Sequence, residues 1–292
     1  MYYYRKSKKL NIRKRTVDVL FTISSQKDDM IFQGVTKAVG QAETLFDFAK
    51  VFDGESAASL IVNVPQRDLD ALLSFLADKL TAVEIWSPVD DLSVLEKCKK
   101  VRFVTAVRAE ELRTLWNTRC NPELEEIKAY HCVKLQDISG LYGCTATAVT
   151  LSGKFLAYAS DTDAPIVDDL SPFASMPNLT ELELFIGKRK QKRADLLLLA
   201  ALTGLQSLQL TKNFFTFRQF AWLKAKLPNA DGVGCVYRYK YDKRKEVDCY
   251  VIAGDGMPDW LEDGTGEEIK RYEEEFNGYV AEFASASTPP DD

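Results

Sequence analysis

Apolar residues return at positions 1, 4 and 6 of a short phrase that recurs along most of the chain. The clearest copies are Leu179, Leu182, Leu184 and Leu205, Leu208, Leu210. Upstream come Leu80, Val83, Ile85, then Val101, Val104, Ala106, then Leu124, Ile127, Ala129. Ala57, Leu60, Val62 and Ala146, Val149, Leu151 are looser copies, and Ala230, Val233, Cys235 is the last. Positions 4 and 6 differ by two, so both side chains leave one face of a short strand, while positions 5 and 7 leave the other. The starts, residues 57, 80, 101, 124, 146, 179, 205 and 230, lie 21 to 33 residues apart, the spacing of a stacked repeat array.

Between phrases the apolar spacing changes to that of a helix. Leu69, Leu72, Leu73 and Leu76 predict one in RDLDALLSFLADK, and Leu112, Leu115 and Trp116 a second in AEELRTLW. Leu135, Ile138 and Leu141 predict a third; Leu196, Leu199 and Ala200 a fourth; Phe217, Phe220 and Ala221 a fifth. Each unit is thus one strand and one helix. Alone it leaves its apolar faces wet, whereas stacking places leucines between a parallel sheet and a helical layer.

The phrase resembles that of the leucine-rich repeat superfamily over about residues 57 to 229. LQSLQLTKNFF also carries that family's Asn at position 9, Asn213, and its apolar position 11, Phe215; in LEEIKAYHC, Cys132 takes position 9. The resemblance implies an α/β solenoid with parallel strands on a concave face and helices on a convex face. It also implies a position-9 side chain that bonds loop backbone inside the stack. Position 9 is otherwise Pro65, Pro88, Ala109, Lys154 or Gly187, which implies irregular turns. A generic α/β packing of the same elements is the alternative.

A solenoid needs polar ends. Residues 1 to 56 are read as an N-terminal arm and cap: a flexible basic arm, a strand at Thr16 to Ile23, and an amphipathic helix in AETLFDFAKVF. Residues 230 to 292 are read as a C-terminal cap. It comprises two strands around a charged turn, a helix striped by Ile269, Tyr272, Phe276, Tyr279 and Phe283, and a disordered SASTPPDD. The stretch GDGMPDWLEDGTGEE reads as a turn feeding that helix, with Asp263 or Thr265 as its N-cap.

Charge adds an asymmetry to this picture. The net charge is -5, yet residues 255 to 292 hold twelve acids against Lys270 and Arg271, so the remainder is basic. Seven cations lie between Arg5 and Arg15 and five in KRKQKR, Lys188 to Arg193. Those segments, 5 to 15 and 188 to 193, carry the alternative function, a nucleic-acid or anionic-surface binder.

Candidate chemistry is sparse. Six scattered cysteines without a C-x-x-C pair read as reduced, mostly buried thiols, and their spacing does not suit zinc. His131 is the single histidine, so a nucleophilic triad would have to use it; a surface His131 beside a buried Cys132 is the expectation. No dinucleotide fingerprint, P-loop or calcium loop is present. The expectation is therefore a scaffold rather than an enzyme, with no catalytic, cofactor or metal residues. No apolar stretch has the length of a membrane span, and the N-terminus lacks a secretory apolar core, so a cytoplasmic location is expected.

The expected partner is another protein, met by the strand side chains outside the core. Position 7 reads Asn63, Trp86, Val107, Tyr130, Ser152, Phe185, Thr211, and position 5 reads Ile61, Glu84, Thr105, Lys128, Thr150, Glu183, Gln209. Aromatic anchors among polar groups favour interfaces. The candidate contact set is Glu84, Trp86, Thr105, Lys128, Tyr130, Glu183, Phe185 and Gln209. Residues 152 to 178 form an insertion whose Phe155, Tyr158, Asp161, Asp163, Asp168 and Asp169 would extend it.

Overall fold

A computed structural model describes residues 2–12, 15–26, 40–44, 58–153, 164–187, 192–242, 247–257 and 266–291. Its strands are β1 (Tyr2–Ile12), β2 (Arg15–Ser24), β3 (Gly40–Ala42), β4 (Ala58–Asn63), β5 (Leu80–Pro88), β6 (Phe103–Arg108), β7 (Glu126–Tyr130) and β8 (Ala148–Ser152). They continue with β9 (Glu181–Phe185), β10 (Ser207–Leu210), β11 (Val236–Asp242) and β12 (Val247–Ile252). The helices are α1 (Gln66–Phe75), α2 (Ser171–Ala174), α3 (Lys192–Ala201), α4 (Phe217–Lys226) and α5 (Gly266–Phe283). No helix among the described residues is long and apolar enough to cross a membrane.

The strands lie side by side in the order β10-β9-β8-β7-β6-β5-β4-β2-β1-β3. From β2 through β10 all pairings are parallel, and β1 and β3 finish one end antiparallel. Register follows the repeat position by position: Leu60, Val83, Val104, Ile127, Val149, Leu182 and Leu208 form one buried row. Val62, Ile85, Ala106, Ala129, Leu151, Leu184 and Leu210 form the next. Phe21 and Ile23 extend both rows, so β2 is a further parallel rung. The phrase starting at Ala230 leaves only a single parallel bridge, Ser207 to Asp231.

A backbone device recurs where β7, β8, β9 and β10 begin. The Arg102 carbonyl accepts from the N–H groups of both Glu125 and Glu126, Glu125 from Thr147 and Ala148, Thr147 from Thr180 and Glu181, and Thr180 from Gln206 and Ser207. Each position-2 carbonyl thereby serves two donors of the following rung, which fixes both spacing and register.

On the opposite layer, helices form in three of the five expected places. α1, α3 and α4 match the spacing of their leucines and phenylalanines, and α4 opens on a capping box between Thr216 and Gln219. AEELRTLW and residues 135 to 141 are not α-helical. They run through a parallel bridge between Thr114 and Asp137 into one-turn 3-10 segments, Thr118–Cys120 and Ser139–Leu141. Tertiary pairing outweighs local propensity here: Arg113 O accepts from the N–H of Gln136 and Asp137, and Asp137 O from Leu115 N–H. A second short phrase accompanies these turns. In Asp91-Leu92-Ser93, Asp137-Ile138-Ser139 and Asp169-Leu170-Ser171, each aspartate accepts from the serine N–H at 2.7–2.8 Å while the middle apolar residue is buried.

The ends differ from expectation in two places. The basic N-terminal segment is not a loose arm through residue 12: β1 pairs along its length with β2. The terminal SASTPPDD is not disordered as far as Asp291: Pro289 is buried, and Asp291 meets Arg193 at 3.1 Å. Of the helix expected in AETLFDFAKVF, Ala42 instead ends β3 and Glu43 and Thr44 form a bend; its remaining residues, 45 to 52, and the N-cap candidates Asp263 and Thr265 lie outside the described residues. The stripe on α5 finds its partner in α4. Phe217 makes edge contacts with Tyr272, Phe276 and Tyr279, Arg218 lies over Tyr279 and Phe283, and Lys226 Nζ donates to the carbonyls of Phe283 and Ala284. That lysine adds a donor at the C-terminal end of α5, where the Phe283 carbonyl also accepts from Ala286 N–H.

Candidate functional site

Side chains at positions 3, 5 and 7 of the parallel strands share the sheet face away from the core. The position-5 row is in direct register throughout: Ile61, Glu84, Thr105, Lys128, Thr150, Glu183 and Gln209. All eight proposed contact residues therefore lie on one face. Glu84, Trp86, Lys128, Tyr130, Glu183 and Phe185 are half-buried, Gln209 is exposed and Thr105 is buried.

At position 7 the register is direct from Tyr130 to Ser152 to Phe185. Trp86 sits at a bulge, because the β5–β6 register slips between Ile85 and Pro88. Bulges re-aim side chains, and this one is tied down by Ser87, whose hydroxyl accepts from Val64 N–H at 2.9 Å. Val107 and Ser152, the small residues between aromatic rungs, are buried at 4% and 1% exposure.

The polar groups of the face hold one another. Trp86 Nε1 donates to Glu84 Oε1 at 2.8 Å, which orients the indole along its own strand. Thr150 Oγ1 donates to Glu183 Oε2 at 3.0 Å across strands. Lys128 Nζ meets Glu126 Oε2 at 3.0 Å, with the side chains 25% and 12% exposed. Such bonding reduces the side-chain entropy left to lose on docking. Position 3 was the omission of the sequence reading. It adds the half-buried Phe103, Glu126 and the exposed Glu181, and simple alternation from positions 5 and 7 identifies all three.

The other candidates are placed as follows. Phe155, Tyr158, Asp161, Asp163 and the cationic Lys188, Arg189 and Lys190 lie outside the described residues. Asp168 and Asp169 are exposed; Asp169 accepts from Ser171 N–H at 2.8 Å and from Tyr142 Oη at 3.3 Å, within the turn feeding α2. Among the described residues no three His, Cys, Asp or Glu side chains gather as a metal site would require.

His131 is half-buried at φ 55°, the left-handed region, as β7 turns into its loop. Cys132 beside it is fully buried, and its thiol lies 3.3 Å from Ser152 O at the end of β8. Burial pushes that thiol up to about 12, and those of Cys98 and Cys235 up to about 11. Thiols held protonated are poor nucleophiles. At pH 8, iodoacetamide is expected to modify Cys120, which is half-exposed, and to spare Cys98, Cys132, Cys144 and Cys235 until denaturant is added; peptide mapping reads the pattern. A folded-state value above the unfolded one means that this stabilisation is complete below about pH 9. It fades as pH rises from there towards 11–12, when unfolded thiols ionise first.

No protein-family model matches the chain, and a search of curated proteins returns no match. The reading of function therefore rests on the sheet face itself.

Proposed function

We propose that the chain is a non-catalytic interaction scaffold of leucine-rich repeat type, whose concave sheet face, the one turned away from the core, docks one specific protein partner and thereby regulates or neutralises it. The observation that carries this reading is the shared face. Trp86, Tyr130 and Phe185 rise on every second strand beside a row of charged and hydroxyl side chains, Tyr130 and Phe185 in direct register through Ser152 and Trp86 at the bulge of β5. Half-buried aromatics on a rigid support make good anchors, since little conformational freedom is lost when a partner covers them. On this reading the antiparallel β1 and β3 at one end, and the hairpin β11–β12 with α5 at the other, act as caps for the stack.

The test is affinity capture from the native host with wild-type protein and with Trp86→Ala/Tyr130→Ala, followed by mass spectrometry. A partner retained by wild type and depleted at least about tenfold by the double variant is expected, since two interface anchors are worth about 2 kcal/mol or more. Circular dichroism of the variant checks that it folds. Equal capture by a folded variant would remove this face as the docking surface.

A further inference from the structure

The spacing and charge of the docking face also bear on what kind of segment it holds. Neighbouring strands lie about 4.8 Å apart, so side chains two strands apart in direct register recur about every 9.5 Å. Tyr130 and Phe185 are such a pair, with Ser152 between them. Trp86 stands two strands beyond Tyr130 on the other side, offset along its strand by the bulge between Ile85 and Pro88. The three aromatics thus span four strand steps, about 19 Å.

A ligand running across the strands meets these rings at its own repeat. A polyproline II helix advances about 3.1 Å per residue, so one of its three edges returns every 9.3 Å and six residues cover about 19 Å. An α-helix returns to one face after seven residues, about 10.5 Å, and is about 2 Å out of step over the same span. An extended strand returns every 6.6–6.8 Å and matches neither interval. Proline-rich segments dock on aromatic-lined surfaces at low entropic cost because their backbone is already extended. The described strand residues of β5 to β9 place Glu84, Glu126, Glu181 and Glu183 on this face against one cation, Lys128. Of the cations flanking those strands, Arg102 and Arg108 at the ends of β6 pair with Glu125 and Glu110, and Lys79 precedes β5.

We propose that the occupant is a basic, proline-rich segment in the polyproline II conformation, lying across β5 to β9 with every third residue over an aromatic ring. The proposal rests on the docking-face reading and specifies its ligand. The face supplies negative charge along the strand-start side of the ring row, at positions 3 and 5, and the ligand supplies arginine or lysine between its ring-contacting positions.

The experiment titrates the full-length protein into a fluorescently labelled synthetic peptide of four Pro-Pro-Arg triplets and follows anisotropy. Two peptides of the same length and charge are compared: four Gly-Ser-Arg triplets, which stay flexible, and an alanine-arginine sequence that forms a helix. The proline peptide is expected to bind at least about tenfold tighter than either. Tyr130→Ala is expected to weaken it at least about tenfold, Tyr130→Phe to leave it nearly unchanged, and added salt to weaken it further. Equal affinity for the three peptides, preference for the helical one, no binding, or indifference to Tyr130→Ala would each overturn the proposal. Failure here is separable from failure of the docking face. A captured host partner that still depends on Trp86 and Tyr130 keeps the face and removes only its polyproline occupant, whereas a partner indifferent to both residues removes the face.

Discussion

Asn121→Ala is expected to lower the free energy of unfolding by about 3 kcal/mol, read as a fall in the urea midpoint with little change in slope. Asn121 is fully buried. Its Nδ2 donates to Leu95 O at 2.7 Å and to Cys98 O at 2.9 Å, while its Oδ1 accepts from Trp116 Nε1 at 2.8 Å. One carboxamide therefore joins the turn of one rung to the indole and turn of the next. The two carbonyls keep other donors, the N–H groups of Cys98 and Val101, so their loss is partial. The indole N–H has no such reserve, and leaving it buried without an acceptor costs about 1–3 kcal/mol by itself. This reasoning predicts non-additivity. Trp116→Phe removes the group that needs the acceptor, so Trp116→Phe/Asn121→Ala should cost less than the sum of the two single changes by about 1 kcal/mol. Strict additivity would show that the indole bond contributes nothing. Asn121→Asp should cost more than Asn121→Ala, because it loses both donors and buries a carboxylate.

The role of Asn121 marks where sequence reading reached and where it stopped. Positions 1, 4 and 6 located the strands from β4 to β10, and their alternation placed the binding-face residues on one side, because a period of two leaves little freedom. β2 escaped the ruler since Asp18 stands where an apolar first position is expected, although Phe21 and Ile23 occupy positions 4 and 6. The interior loop bond was expected from position 9. Cys132 at that position reaches a strand carbonyl, Ser152 O, whereas turn carbonyls are bonded by Asn121, three residues before its own phrase begins. A buried asparagine looks like any loop asparagine in a sequence, since its partners are backbone carbonyls with no residue identity. The helical spacing of Leu112, Leu115 and Trp116 was misleading for a related reason. An i, i+3 apolar pair also suits an extended crossing into a 3-10 turn, and the Thr114–Asp137 bridge that decides between them is tertiary. On the binding face, the rows were legible but their internal bonds were not: Thr150 to Glu183 spans 33 residues and follows only from a known register.

Gly140→Ala is expected to be at least as damaging as the loss of Asn121, about 3 kcal/mol or more, and the cause is contact with backbone rather than conformational strain. A Cβ at Gly140 would lie 2.1 Å from Trp116 O and 2.6 Å from Leu115 O. Those atoms cannot swing aside as a side-chain tip would, because Leu115 N–H is bonded to Asp137 O, and Gly140 O is itself held by Thr118 Oγ1 at 2.7 Å. The methyl must therefore push two rungs apart by about 1 Å, which opens the close-packed layer between them. Gly278→Ala supplies the contrast. Gly278 is exposed within α5 with open space where its Cβ would stand, so the same substitution should stabilise by about 0.5–1 kcal/mol through helix propensity. Thermal unfolding of both variants reads opposite signs, and a Gly140→Ala variant as stable as wild type would disprove the close approach of the two turns. The consequence reaches the opposite face. Trp116 follows the strand that begins at Phe103 and Gly140 the strand that begins at Glu126, so the interval between Trp86 on β5 and Tyr130 on β7, which crosses β6, depends on this junction staying closed. A folded Gly140→Ala variant is accordingly expected to lose affinity for the Pro-Pro-Arg peptide although residue 140 lies on the far side of the sheet from Tyr130, while Gly278→Ala leaves that affinity unchanged.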